Sequence, residues 1–212
     1  MLRRLRIAFV LACALPISAH AHPHAWIYLE TSPVFNAAGQ MTALKQRWTF
    51  DVYYTEFILQ DLHVKDRKNP PQSILMQLAT TNLGNLKPYG YFTRVTQQKK
   101  PVAFGEVSSV ASHVEKAALV MDFTLALATP LDVRAGSVEY KIFDPSYYVE
   151  MLHVSKKNIR LPENAPAGCT LTLREPSPDM TQISLASALD KQATAPDNLG
   201  DVFAETITLA CP

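Results

Sequence analysis

The segment LKQRWTFDVYYTEFILQDL, residues 44–62, changes its hydrophobic period in the middle. Up to Phe50 the pattern advances in twos, with Leu44, Gln46, Trp48 and Phe50 on one face, as in a half-buried strand. After Asp51, Tyr54, Phe57, Ile58 and Leu62 recur at three and four residues, the period of a helix. A strand running directly into a helix points to an α+β protein. On the N-terminal side, alternation around Trp26, Tyr28 and Val34 and the turn Asn36-Ala37-Ala38-Gly39 make residues 44–50 the second arm of a β-hairpin. On the C-terminal side, Pro70-Pro71 opens a second helix through Ile74, Leu75, Leu78 and Leu86, so a helical insert covers about 52–88.

From Tyr91 the period returns to two. Residues 92–95, 102–107, 119–127 and 138–143 read as strands, separated by Lys99-Lys100-Pro101, Thr129-Pro130 and Arg134-Ala135-Gly136. A strand over 170–173, a short helix over 180–189, a Pro/Asp/Asn loop and a last strand over 204–209 complete the chain. Four successive strands predict a mainly antiparallel, β-sandwich-like body carrying the two-helix insert. The fifteen prolines fit many short strands on one core, so 22–212 is expected to form a single domain.

Residues 1–21 have the organisation of an export leader. Arg3, Arg4 and Arg6 precede an apolar stretch over 7–17, and Ala19-His20-Ala21 has the small-x-small form of a cleavage site. Cleavage after Ala21 is expected, with a periplasmic mature chain beginning at His22. The apolar stretch falls short of the roughly 20 residues a membrane-spanning helix needs, and Pro16 interrupts it, so no stable membrane anchor is expected. Three of the twenty basic residues lie in this leader with no acidic ones, leaving seventeen basic against nineteen acidic residues. Such a balance argues against nucleic acid as a partner. Of three cysteines Cys13 departs with the leader, and Cys169 and Cys211 remain as an even pair in an oxidising compartment. That parity favours a disulfide tying the last strand to the body, with a two-thiolate metal site as the alternative.

Cleavage after Ala21 would make His22-Pro23-His24 the new terminus. The α-amine and imidazole of His22 can chelate one ion and His24 can add a second imidazole, a nitrogen set suited to nickel, cobalt, zinc or copper. Pro23 has no amide hydrogen to lose, which excludes the square-planar clamp built from deprotonated amides. The site would then be completed by side chains from elsewhere. Asp144 and Asp51, each at the end of a strand, can supply oxygen, and His153 stands in reserve. Local roles compete with ligation: Asp144 before proline is a turn starter, and Asp51 can cap the following helix. His63 and His113 lie in polar surroundings and read as surface residues. A mobile polar terminus with two incidental histidines is the alternative for His22 and His24.

Hydrolytic machinery is missing from the motifs. There is no Gly-x-Ser-x-Gly, no reactive-cysteine context, and no phosphate-cradling loop among seven glycines. A copper-dependent oxidase built on a terminal histidine brace remains an option; it would want a flat aromatic face. Tyr53-Tyr54, Tyr89-Gly90-Tyr91-Phe92 and Tyr147-Tyr148 could supply that face or simply pack in the core.

Taken in order, several segments resemble a bacterial periplasmic family, domain of unknown function number 1007, labelled a periplasmic component of an ABC-type transport system. They are His22-Pro23-His24-Ala25-Trp26, Trp48-Thr49-Phe50-Asp51, the run 85–93, Asp144-Pro145-Ser146-Tyr147-Tyr148, Ala167-Gly168-Cys169 and the ending from Phe203-Ala204-Glu205 to Cys211. The resemblance covers nearly the whole mature chain. It implies handling of a divalent metal outside the inner membrane, because the family typically accompanies nickel/cobalt or zinc transport genes. Many members carry a calcium-type loop between the two helices. Here Lys65, Asp66 and Gln72 occupy its fifth, sixth and twelfth places, which lack the required oxygen, glycine and glutamate, so calcium is not expected.

The expected function is binding or relay of a divalent transition metal for an inner-membrane metal transporter, without an enzymatic step. The rival expectation is an adaptor that docks a transporter permease without metal.

Overall fold

The hairpin forms as its period predicts. In β1 (Ala25–Phe35) every second residue from Ala25 to Phe35 is buried, while Trp26 and Tyr28 face outward. It pairs antiparallel with β2 (Met41–Phe50), from Ile27 opposite Phe50 to Phe35 opposite Met41. The turn closes because the Asn36 carboxamide oxygen accepts from the Ala38 and Gln40 amides, each at 3.0 Å, and because Gly39 adopts the left-handed conformation at φ +76°. These coordinates are a computed structural model describing residues 25–189 and 198–212. The expectations for the leader, His22, His24 and the loop over 190–197 fall outside the described residues.

Two five-stranded sheets make the body. The first has the order β5 (Phe104–Glu115), β6 (Ala118–Leu131), β2, β1, β8 (Val149–Leu152). The second runs β4 (Lys100–Pro101), β3 (Thr93–Gln97), β7 (Val138–Ile142), β10 (Thr206–Ala210), β9 (Thr170–Arg174). Among the described strands all pairings are antiparallel except β1 with β8, and an isolated parallel bridge joins Thr31 to Ile159. The fold is α+β, as expected, but the strands after Tyr91 are dealt between the sheets: β5 and β6 join the hairpin, and β3 and β7 pair with each other. Strand β8 has no counterpart in the sequence reading, because four residues are too few to establish a period. Phe92 is not in a strand. It ends a 3-10 turn (Lys87–Phe92) in which Gly90, Tyr91 and Phe92 all have positive φ.

One apolar core fills the space between the sheets. Leu29, Leu44, Trp48, Phe123 and Leu125 from the first meet Val95, Val138, Tyr140, Ile142, Ile207 and Leu209 from the second. Both expected helices are present, α1 (Val52–Asp61) and α2 (Gln72–Leu86). Their buried faces differ from those read in the sequence. α1 buries Thr55 and Leu59, leaving Phe57 exposed, and α2 buries Leu75, Ala79 and Leu83 at four-residue intervals. The choice is made by hydrogen bonds to the sheet. The Leu119 amide donates to Thr55 Oγ1 at 2.9 Å, and Gln72 Nε2 donates to the Ser112 carbonyl at 2.9 Å.

Two buried polar bridges cross the core. Gln46 donates to Thr93 Oγ1 (3.0 Å) and accepts from the Trp48 indole (2.9 Å), so its inward amide is satisfied at both ends. In the other, Thr31 Oγ1 contacts the Tyr140 hydroxyl (2.8 Å) and His153 Nε2 (3.0 Å), and His153 Nδ1 contacts Glu205 (2.7 Å). Burial pushes the Tyr140 hydroxyl well above its ordinary range.

Cys169 and Cys211 form a disulfide, so the two-thiolate metal alternative falls. The bond lies just beyond the Thr170–Ala210 register pair and ties β10 to the edge strand β9. A closed loop of 42 residues is worth up to about 4 kcal/mol in chain-entropy terms. Replacing both cysteines by alanine is expected to lower stability by about 2–4 kcal/mol, read as the loss in unfolding free energy in urea at pH 7.

Candidate functional site at the start of the first strand

Two of the aspartates singled out by sequence meet the beginning of β1 from opposite sides. Asp51 follows β2 and caps α1, with Oδ1 accepting from the Tyr54 amide at 2.8 Å. Its Oδ2 accepts from the Trp26 amide at 3.0 Å, while its own amide donates to the Trp26 carbonyl at 2.9 Å. This reciprocal pair holds Asp51 level with Trp26 at the start of β1.

Asp144 arrives through the turn between β7 and β8 and is 6% exposed. Oδ1 accepts from the Ser146 amide (2.9 Å) and hydroxyl (2.8 Å), and Oδ2 accepts from the Val149 amide (3.1 Å). Val149 lies opposite Ala25 in the parallel pairing, and the Trp26 indole donates to Glu150 at 2.8 Å. The chain's covalent order puts His24 immediately before Ala25, and His22 two residues earlier.

Both local roles read for the aspartates are therefore present, as helix cap and as turn starter. They do not exhaust the carboxylates. A carboxylate offers about four lone-pair directions. Asp51 uses two and is half-buried; Asp144 uses three and is buried. Asp51 thus keeps more capacity for a further partner.

The Asp144 turn is held from behind by the C-terminal segment. α4 (Leu199–Val202) places Gly200 so close that a Cβ there would collide with the Asp144 carbonyl, and the Gly200 amide donates to Pro145 at 3.1 Å. Tyr147 stacks on Phe203 with centroids 4.1 Å apart. With Ala186 of α3 (Met180–Ala188), Leu189 just beyond it and Leu199 of α4, these residues make a small second apolar cluster. Burial raises the Tyr54 hydroxyl above its usual range, with the Tyr148 and Asp51 charges adding.

The reserve candidate His153 is built differently. It is 4% exposed, and both ring nitrogens are engaged, by Glu205 and Thr31, so it belongs to the bridge between the sheets. Its partners were not legible in the sequence, since Thr31, Tyr140, His153 and Glu205 share no motif or spacing. His63 is exposed, its Nδ1 2.6 Å from the Asp61 carbonyl. His113 pairs loosely with Glu115 at 3.7 Å on β5. Among the described residues no group of three or more His, Cys, Asp or Glu side chains could hold a metal ion. A site at this end of β1 would have to draw donors from the residues before Ala25.

Tyr147 supplies a check on the turn's packing. Burial first, and the Glu150 charge second, push its hydroxyl up to about 12 from an ordinary value near 10. Between pH 10 and about 12 the unfolded chain loses this proton and the folded chain keeps it, so stability falls as pH rises through that window. Tyr140 acts in the same direction. Tyr147→Phe is expected to flatten part of that decline, measured as unfolding midpoints in urea across the window.

Among the described residues, no helix is long and apolar enough to cross a membrane. No solved structure gives a significant match to the chain. A protein of Haemophilus influenzae (strain Rd), described as uncharacterized, is 28% identical over 194 residues, covering 90% of this chain and 91% of that relative. The model of the family described as protein of unknown function (DUF1007) matches residues 7–211, and the chain belongs to that family.

Proposed function

We propose that this is a periplasmic protein that binds or relays a divalent transition metal for an inner-membrane metal transporter. The observation that carries the reading is that Asp51 bonds Trp26 directly and Asp144 bonds Val149, the β8 partner of Ala25, so both flank the residues that follow His22-Pro23-His24. After cleavage at Ala21, His22 would chelate the cargo ion through its amine and imidazole, His24 would add nitrogen, and Asp51 would bring oxygen, with Asp144 behind it. Nickel, cobalt, zinc and copper accept such a mixed set. Selectivity would come from ligand type, since the near-neutral chain creates no strong field of its own. A site at a strand's free end also suits a relay, because an exchangeable ion needs a path to a partner.

A second reading, the metal-free adaptor, is favoured by the outward face of α1. Tyr53 and Phe57, one turn apart, are 89% and 63% exposed, and aromatic side chains of this kind are the usual anchors of protein interfaces.

The test uses the exported protein, its terminus established by intact mass, titrated with each of the four metals. Submicromolar binding is expected, lost when one alanine precedes His22. Asp51→Asn keeps a capping oxygen but removes the charge, and should weaken binding at least about tenfold. Equal binding by the extended form would remove the amine from the site. No binding by any form would leave the adaptor, for which Tyr53→Ala with Phe57→Ala should abolish partner capture. Peroxide-dependent turnover by the copper form would instead indicate an oxidase.

A further inference from the structure

A half-open pocket of about 180 Å³ lies between the C-terminal end of α2 and the first sheet. Trp48, Phe50, Phe92 and Met121 form its apolar walls, and Asn82 and Asn85 stand on its rim. Among the described residues no charged side chain lines it. We propose that it is a binding site for a small neutral molecule, about one substituted aromatic ring in size, carrying one hydrogen-bonding group. Ala25 and Val149 also line it, so it adjoins the start of β1, but the inference needs no bound metal.

Size and chemistry set the ligand class. A closed apolar cavity of about 150 Å³ admits benzene, so this half-open pocket has room for a ring with a short substituent. A charged ligand would lose its hydration without finding a counter-charge. Asn82, half-buried, and Asn85, exposed, sit three residues apart on one face of α2, and among the described residues neither carboxamide has a hydrogen-bond partner. Two free amides over an apolar hollow are the arrangement that orients a ligand with one polar end.

The backbone supplies a second, independent observation. Gly90, Tyr91 and Phe92 stand in succession at φ +61°, +56° and +55°. Glycine adopts this region freely, whereas two bulky aromatics in it are strained, and such strain persists where the surroundings impose it, commonly at binding sites. Here the Phe143 amide holds the Phe92 carbonyl at 2.8 Å, and Thr93 Oγ1 donates to the Tyr91 carbonyl at 3.0 Å. An ordinary strand start at Phe92 would satisfy the local sequence. The strained turn instead sets the Phe92 ring on the cavity wall, nearly parallel to Trp48 (12°, centroids 6.5 Å apart).

The test is titration of the ¹⁵N-labelled exported protein with p-cresol, followed by amide and indole resonances. The Trp48 indole and the Asn82 and Asn85 side-chain amides should shift saturably, while the Trp26 indole, bonded to Glu150 outside the cavity, should not. Toluene, lacking the hydroxyl, should bind roughly tenfold more weakly. Asn82→Leu with Asn85→Leu should erase that difference. Leu86→Phe, at a half-buried position on the mouth, should abolish binding of both compounds, with circular dichroism establishing that it folds. The proposal is overturned by the absence of saturable shifts at millimolar p-cresol, or by equal affinity for toluene. It is equally overturned by binding that survives in folded Leu86→Phe; were that variant unfolded, a cresol preference unchanged by the two leucines would overturn it.

Discussion

Trp48 is the residue on which the two sheets, the helical insert and the cavity all bear. Its indole is 1% exposed, meets Phe123 edge-on at 5.3 Å, and gives its N–H to Gln46, which passes the contact on to Thr93 of the opposite sheet. Full burial of a large aromatic contributes on the order of 3 kcal/mol by area, and truncating one costs about 3–5 kcal/mol because the space cannot close. Gln46 adds orientation to this packing. A buried amide must find partners, and only one sliding position of the sheets gives it both Trp48 and Thr93. The apolar contacts make the sandwich stable, and the amide makes its alignment unique.

The bridge of Tyr140, Thr31, His153 and Glu205 repeats this device one strand over, Thr31 lying directly opposite Gln46 in the hairpin. Its order of carboxylate, imidazole and hydroxyl is that of a nucleophile relay. Accessibility decides against that use: Thr31 is 3% and Tyr140 1% exposed, and the threonine oxygen already contacts the tyrosine. A hydroxyl with no approach for substrate works as a cross-link. The bridge also explains why the C-terminal segment matters to the body. Glu205 immediately precedes β10, which lies inside the second sheet between β7 and β9, so the last residues are structural members rather than an appendage.

Much of this was legible in the chain. The change of period at Asp51, the Asn36–Gly39 turn, the cap at Asp51 and the cysteine pairing all follow from local rules, and the structure contains each of them. Tyr54, Phe57, Ile58 and Leu62 were legible as a helix but not as a face. α1 rests on the sheet through Thr55 and Leu59, and an apolar stripe says nothing about which neighbour will cover it. Phe92 reads locally as a strand residue and still gives its carbonyl to the Phe143 amide beside the Thr93–Ile142 pair, but its backbone, like those of Gly90 and Tyr91, is in the left-handed region.

Sequence alone determined the elements, because helix and strand periods and caps act over a few residues. It could nominate Asp51 and Asp144 by residue type and position at strand ends, but not their common destination. That destination was decided by tertiary structure, through the parallel register of Val149 with Ala25 and the hydrogen bonds between Asp51 and Trp26. Register between strands more than a hundred residues apart depends on which inner faces fit together in the core. Local periodicity carries no record of that choice.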